Sequence, residues 1–264
     1  MSNLELLRKL IKIESISPND NGCFDVIKQQ FDGLDFSFEE TNYKNISNLI
    51  ITNGDSKNKT FCFLGHTDVV PPGPESEWSV PPFSGEIIDN KIYGRGAADM
   101  KGGVACFISA LKEFLSENKD PSFNIMVLLN SNEEGKLENG KVDRVINEMI
   151  EKDKFIDFCL IGEPSSSKKV GDVIRIGRRG SLSGNLKVYG IQGHVAYPKQ
   201  ALNPILGIGK TLEELKNMEW DRGNENFEPT SFQVSNIKSG TGAENVVPGV
   251  LEMTFNFRFS PESS

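Results

Sequence analysis

The sequence predicts a layered α/β fold followed by a smaller α+β unit, and three observations carry that prediction. From Met100 to Glu163, helical patterns alternate with β-like apolar runs, as they do where helices connect the strands of a mainly parallel sheet. After the turn-rich stretch GEPSSSKKVGD the pattern changes to long strands around one helix, so a second unit is expected from Gly180, dividing the chain into 1–179 and 180–264. Isolated polar residues also end several of the apolar runs, at the place where open α/β sheets bind ligands.

Taken in order, Leu4, Leu7, Leu10 and Ile11 fall at helical spacing. Asn21 is positioned to cap a second helix through Phe24, Ile27 and Phe31. Short runs punctuated by Asn, Gly and Pro follow, namely NLIIT, FCFLGH, EIID and KIYG, and they predict strands from Asn48 to Tyr93. A helix from Met100 to Leu115, the strand NIMVLLN, the helix VDRVINEMI and the strand FIDFCLIG complete the first unit. In the second unit SLSGNLKVYG, SFQVSNI and VLEMTFNFRF read as strands and PILGIGKTLEELKNM as a helix.

Composition narrows the function. The chain has 264 residues, enough to bury a sizeable core, and its formal charge of −8 leaves no electrostatic footprint for nucleic acid. No apolar run is long enough for a membrane span, and the N-terminus lacks the apolar core of a signal peptide, so a cytoplasmic protein is expected. Cys23, Cys62, Cys106 and Cys159 form no CxxC pair and read as reduced, buried small hydrophobes.

His66 closes the run FCFLGH, and Asp68 lies two residues on, placed to accept its imidazole N–H and fix the tautomer. An ordinary polar strand end with an Asp turn accounts equally well for that pair alone. Asp99 sits among glycines in GRGAADMKGG, where it reads either as a presented carboxylate or as a helix N-cap. Glu133 and Glu134 follow NIMVLLN directly, and adjacent carboxylates repel unless a cation or proton stabilises them. Glu163 repeats the arrangement in LIGEP. If their strands are parallel, these residues converge on one sheet edge, a donor set that suits a carboxylate-rich pair of zinc ions.

The strings GHTDVVPPGP, YGRGAADMKGG, NEEG, GEPS, GRRGSL, QGHVAYP and NVVPG, in this order, resemble the dinuclear zinc aminoacylase and carboxypeptidase G type metallopeptidase family. The resemblance implies a zinc-peptidase-like catalytic domain with an inserted dimerisation or lid domain, two zinc ions per subunit with cobalt as a substitute, and a small-molecule amide substrate. It implies that His66, Asp99, Glu134 and Glu163 bind metal with Asp99 bridging, that Asp68 orients His66, and that Glu133 is the general base. It further implies a homodimer formed through the lid, with His194 acting on the tetrahedral oxyanion in the partner's active site and Asn245 reaching the substrate there. Arg178, Ser181, Tyr197 and Arg258 match family positions around substrate carboxylates, and a guanidinium fork suits a succinyl group on a diamino diacid. For Arg258, exposure on a strand face is an equally simple account.

The stop after a strand at SPESS, and the lack of a third histidine where relatives use a late one as a metal ligand, predict a chain that is a fragment. Two alternative readings stay open: an enzyme of the same family acting on another N-acyl amino acid such as acetylornithine, and an inactive fragment or non-catalytic metal-binding dimer.

Overall fold

Ser2 opens the first helix, α1 (Asn3–Ile11), with a capping box: its Oγ accepts the Glu5 N–H at 3.3 Å while Glu5 Oε2 accepts the Ser2 N–H at 2.8 Å. The computed structural model describes residues 1–54, 58–135 and 142–263. The chain divides into two units, Met1–Val170 and Gly171–Ser264. The buried face of α1 is Leu6, Leu10 and Ile11, while Leu4 is exposed, so the apolar stripe is rotated from the spacing read in the sequence.

Helix α2 (Cys23–Lys28) continues into a 3₁₀ turn at Gln29–Phe31. Asn21 does not cap it. Asp20 does that work, its carboxylate accepting the N–H groups of Gly22 at 3.0 Å and Phe24 at 3.2 Å. Asn21 instead takes a left-handed conformation, φ 52°, and donates its side-chain amide to Glu14 O.

The sheet of the first unit contains β1 (Ser37–Tyr43), β2 (Ile46–Thr52), β3 (Thr60–His66), β6 (Asn124–Asn130) and β7 (Phe158–Ile161) in the order β1-β2-β6-β3-β7. Between β3 and β6 the chain forms the hairpin β4 (Glu86–Ile88) and β5 (Lys91–Tyr93) and the helix α3 (Gly102–Glu117). Helix α4 (Val142–Glu151) lies between β6 and β7. Strands β3, β6 and β7 are mutually parallel, but β2 runs antiparallel to both β1 and β6. The sheet is therefore mixed rather than mainly parallel, because β1 and β2 form a tight hairpin, whose two-residue connection permits only antiparallel pairing.

Strict period-two burial divides the strands between two helical layers. Leu49, Ile51, Phe63, Ile125, Val127 and Leu129 pack with the apolar faces of α1, α2 and α3. Ile50, Cys62, Met126 and Leu128 face the other way, against Val145 and Met149 of α4. Central β6 is buried at every position, as a strand covered on both faces must be.

The second unit contains β8 (Gly180–Tyr189), β9 (Gly193–His194), α5 (Pro204–Asn217), β10 (Ser231–Ser239), β11 (Val246–Val247) and β12 (Val250–Phe259). Strands β10, β12 and β8 form an antiparallel sheet in that order, and β9 pairs with β11 in a short ribbon. Asn203 caps α5, accepting the Ile205 N–H at 2.9 Å, with Pro204 at the first helical position. The core cluster is Ile208 of α5 with Leu251 and Met253 of β12.

The cysteine expectation fails at two positions. Cys23 and Cys62 are buried, but Cys106 and Cys159 are exposed free thiols. Cys159 lies on β7, an edge strand whose four side chains are all exposed despite their apolar character.

Candidate functional site

Three parallel strands deliver the site. His66 is the last residue of β3, Glu133 and Glu134 follow β6, and Glu163 follows β7, so all four reach the same edge of the sheet. Asp99 arrives by a different route, from the irregular turn Ala97–Lys101 that leads into α3. His66 Nε2 lies 3.2 Å from Asp99 Oδ1 and 3.5 Å from Glu163 Oε1. Donor atoms of His66, Asp99 and Glu163 lie within 4.8 Å of one another, and so do those of His66, Glu133 and Glu134. The five residues thus form two potential ligand groups that share the imidazole.

The turn around Asp99 depends on close approach. Gly96 has φ +79°, and a Cβ there would come within 2.5 Å of Val69 Cγ1. A Cβ on Gly103 would lie 2.4 Å from the Gly162 carbonyl oxygen, so the start of α3 can meet the end of β7 only without one. Asp99 has non-helical angles, φ −123° and ψ 101°, and its carboxylate faces His66. It is not the cap of α3: Lys101 holds that position without a side-chain capping bond.

His66 is 1% exposed and fixed at both ring nitrogens. Its Nδ1 lies 2.8 Å from the Asp68 carbonyl oxygen, which can only accept, so Nδ1 carries the proton and Nε2 faces the carboxylates. The Asp68 carboxylate is farther from the ring, 3.5 Å at Oδ1. Its stronger connections are to the next loop, where Oδ1 accepts the Glu133 N–H at 3.1 Å and Oδ2 the Glu134 N–H at 3.2 Å. Asp68 therefore ties the end of β3 to the end of β6.

Electrostatics register the crowding. Burial opposes charge on His66, but Asp68 and Glu163 outweigh it and raise the imidazole from 6.5 to about 9. Burial raises Glu163 to about 7, with Asp99 and Glu133 adding repulsion against the attraction of His66. Glu134 is raised by burial and then by Asp99. Carboxylates pushed toward neutrality around one imidazole form a donor set that fits divalent cations.

The candidates of the second unit lie on its surface in two places. His194, exposed on β9, accepts the Ala196 N–H at Nδ1 and lies against Tyr197, their ring centroids 5.8 Å apart. Its strand partner is Val246, and the Asn245 carbonyl accepts the Val195 N–H, so His194, Tyr197 and Asn245 are neighbours. Arg258 pairs with Ser181 across β12 and β8, and Ser181 Oγ accepts from Asn256 at 2.9 Å. Arg178 precedes β8 and is exposed.

Three supporting residues escaped the sequence reading. Ser17 donates its hydroxyl to Asp68 Oδ2 in a short hydrogen bond. Asp20 accepts from Thr67 Oγ1 at 3.0 Å, anchoring the residue after His66. Lys101 is fully buried, with Nζ donating at 2.8 Å to the carbonyls of Leu10 and Ile13. Only Lys101 carried a local signal, a charged residue among glycines and apolar residues beside Asp99. Ser17 and Asp20 lie about fifty positions from their partners, a separation no local pattern bridges.

The family model for peptidase family M20/M25/M40 matches residues 62–258. A protein of Methylococcus capsulatus named succinyl-diaminopimelate desuccinylase is 51% identical over 259 residues, which are 98% of this chain and 68% of that protein. The M20 family metallo-carboxypeptidase of Sulfolobus solfataricus has the same fold, with TM-score 0.64 at 20% identity over all of this chain and 72% of that one. A dinuclear metal-binding M20 peptidase of Bacillus subtilis aligns with TM-score 0.60 at 13% identity, covering 98% of this chain and 64% of that one. With its ligand groups at the ends of β3, β6 and β7 and a family match across both units, this chain belongs to peptidase family M20/M25/M40.

Proposed function

We propose that the chain is a metal-dependent amidohydrolase that cleaves N-succinyl-L,L-2,6-diaminopimelate to succinate and L,L-2,6-diaminopimelate. The observation that carries the reading is the meeting of His66, Asp99, Glu133, Glu134 and Glu163 as two ligand groups sharing one imidazole. The desuccinylase of M. capsulatus supplies the substrate, at 51% identity over nearly the whole chain.

His66, Asp99, Glu134 and Glu163 are assigned as the residues that would hold the metal ions, zinc or cobalt. When bound, these ions supply Lewis acidity that activates water and polarises the amide carbonyl. Asp68 keeps Nδ1 of His66 protonated through its carbonyl and holds the Glu133 and Glu134 backbone in place. Glu133 takes a proton from the attacking water and passes it to the departing amine, so one carboxylate serves as base and then acid. His194, supplied by the partner subunit of a homodimer, donates to the tetrahedral oxyanion, with Asn245 contacting substrate beside it. Arg178, Ser181, Tyr197 and Arg258 bind the substrate's carboxylates.

Side-by-side hydrolysis of succinyl-diaminopimelate and acetylornithine, with and without a chelator, tests the assignment. Turnover of the succinyl substrate that a chelator removes and zinc restores is the expected result; preference for acetylornithine would replace the substrate assignment. A cytoplasmic location is proposed for this biosynthetic reaction; among the described residues no helix is long and apolar enough to cross a membrane.

A further inference from the structure

Cys62 and Cys159 lie directly opposite each other on the parallel strands β3 and β7. Paired residues on neighbouring strands project from the same face, with backbones about 4.8 Å apart, inside the range of about 4.4–6.8 Å that a disulfide spans. The two thiols differ in access: Cys62 is buried in the cluster under α4, whereas Cys159 is exposed on the edge strand. The neighbouring Cys62 side chain holds the Cys159 thiol below its ordinary value, while Cys159 and burial push Cys62 up. Cys23 offers a contrast, since burial pushes its thiol up to about 11, and the charges of Lys101 and Asp20 act on it rather than a second thiol.

We propose that Cys62 and Cys159 form a dithiol modification site in which hydrogen peroxide oxidises Cys159 and Cys62 resolves the product to an intramolecular disulfide. The Cys159 thiolate attacks peroxide, forming an S–O bond as the O–O bond breaks, and the departing hydroxide takes up a proton to become water. The Cys62 sulfur then attacks the sulfenic sulfur, forming the S–S bond as the S–O bond breaks, and the released hydroxide takes the Cys62 proton as a second water. Two thiols are oxidised and one peroxide is reduced. The bridge joins the two strands four residues before His66 and Glu163, whose side chains meet at 3.5 Å. This inference does not rest on the substrate assigned above.

The test exposes the metal-loaded chain to hydrogen peroxide, alkylates remaining thiols in denaturant and maps the peptides by mass spectrometry. The expected product is a peptide pair linked through Cys62 and Cys159, removed by dithiothreitol, with alkylation of both residues falling together by about tenfold while exposed Cys106 keeps its label. In Cys62→Ala, and independently in Cys62→Ser should the first not fold, Cys159 is expected to accumulate as a sulfenic acid trapped by dimedone. Oxidation of Cys106 as fast as Cys159, a bridge between molecules, or over-oxidised Cys159 beside an intact Cys62 thiol would each overturn the proposal.

Discussion

The two units hold their candidate residues in opposite ways. In the first, His66 and Asp68 are almost wholly buried at the end of a sheet covered by helices on both faces. In the second, Tyr197 is 60% exposed, His194 is exposed, and β8 and β10 show mostly exposed side chains above the small cluster of Ile208, Leu251 and Met253. Packing therefore preorganises the ligand groups of the first unit before any cation arrives. On the second unit, strand register fixes which residues are neighbours, while their side chains stay at the surface.

The largest effect that would sharpen this contrast is the loss of Glu133. Glu133→Gln is expected to lower turnover by about 10²–10⁴-fold, the scale of a general base, while the metal content measured by atomic emission stays at the level of the unchanged chain. Glu133 and Glu134 both lie within ligand distance of His66, so metal content is what separates their roles. A fall in stoichiometry for Glu133→Gln, with none for Glu134→Gln, would exchange the two assignments.

The next effect concerns Asp68, which unites three segments through Ser17, His66 and the Glu133–Glu134 backbone. Asp68→Asn keeps the shape and one acceptor oxygen, and is expected to weaken zinc affinity by about 10–100-fold in competition with a chromogenic chelator. Asp68→Ala should add a loss of about 1–3 kcal/mol in unfolding free energy for each buried donor it leaves unpaired. Unchanged zinc affinity in both variants would reduce Asp68 to a purely structural residue.

Much of the first unit was legible because burial on both sheet faces writes long apolar runs, and a polar residue ending such a run is conspicuous. His66 after FCFLG and Glu133 after NIMVLLN are of this kind. Strand β1 was not legible: SFEETNY offers only Phe38 and Tyr43 as large apolar residues, because this edge strand buries little. The run at β7 misled in the opposite direction, since FCLI reads as interior yet is exposed. The cap at Asp20 was missed because Asn21 stands beside it and is an equally good capping residue by type, so the choice depends on a backbone angle. Asp68 was identified as a partner of His66, but which atom does the orienting was not legible, since a residue's letter does not distinguish its carbonyl from its carboxylate.

Proton release is a smaller and more direct probe of the first unit. The imidazole of the metal-free protein is raised to about 9, so it is protonated at pH 7, and a metal ligand must be neutral. Zinc binding at pH 7 should release that proton together with the part of a proton that Glu163, raised to about 7, still holds, and affinity should rise with pH until it approaches 9, then level off. The same shift makes the contribution of His66 to metal-free stability fullest below pH 6.5, and that contribution is lost as pH rises through 9. Calorimetry in buffers of different ionisation enthalpy counts the protons released. A count of zero at pH 7 would show that the imidazole is already neutral and Glu163 already ionised, so that the groups of the site do not raise one another.

The smallest effect tests the other side of the contrast. Arg258 is exposed and sits opposite Ser181 in a register that backbone hydrogen bonds maintain without its side chain. Arg258→Ala should therefore change unfolding free energy by no more than about 0.5 kcal/mol. If its guanidinium binds a substrate carboxylate, KM for the succinyl substrate should rise by about tenfold, the value of a charge-assisted hydrogen bond, with kcat nearly unchanged because the bond is made equally in ground and transition states. Arg258→Lys should recover only part of that loss, since an ammonium lacks the planar fork. A drop in stability with unaltered KM would instead make Arg258 a strand-face residue with no part in recognition, and would place the substrate's carboxylates elsewhere.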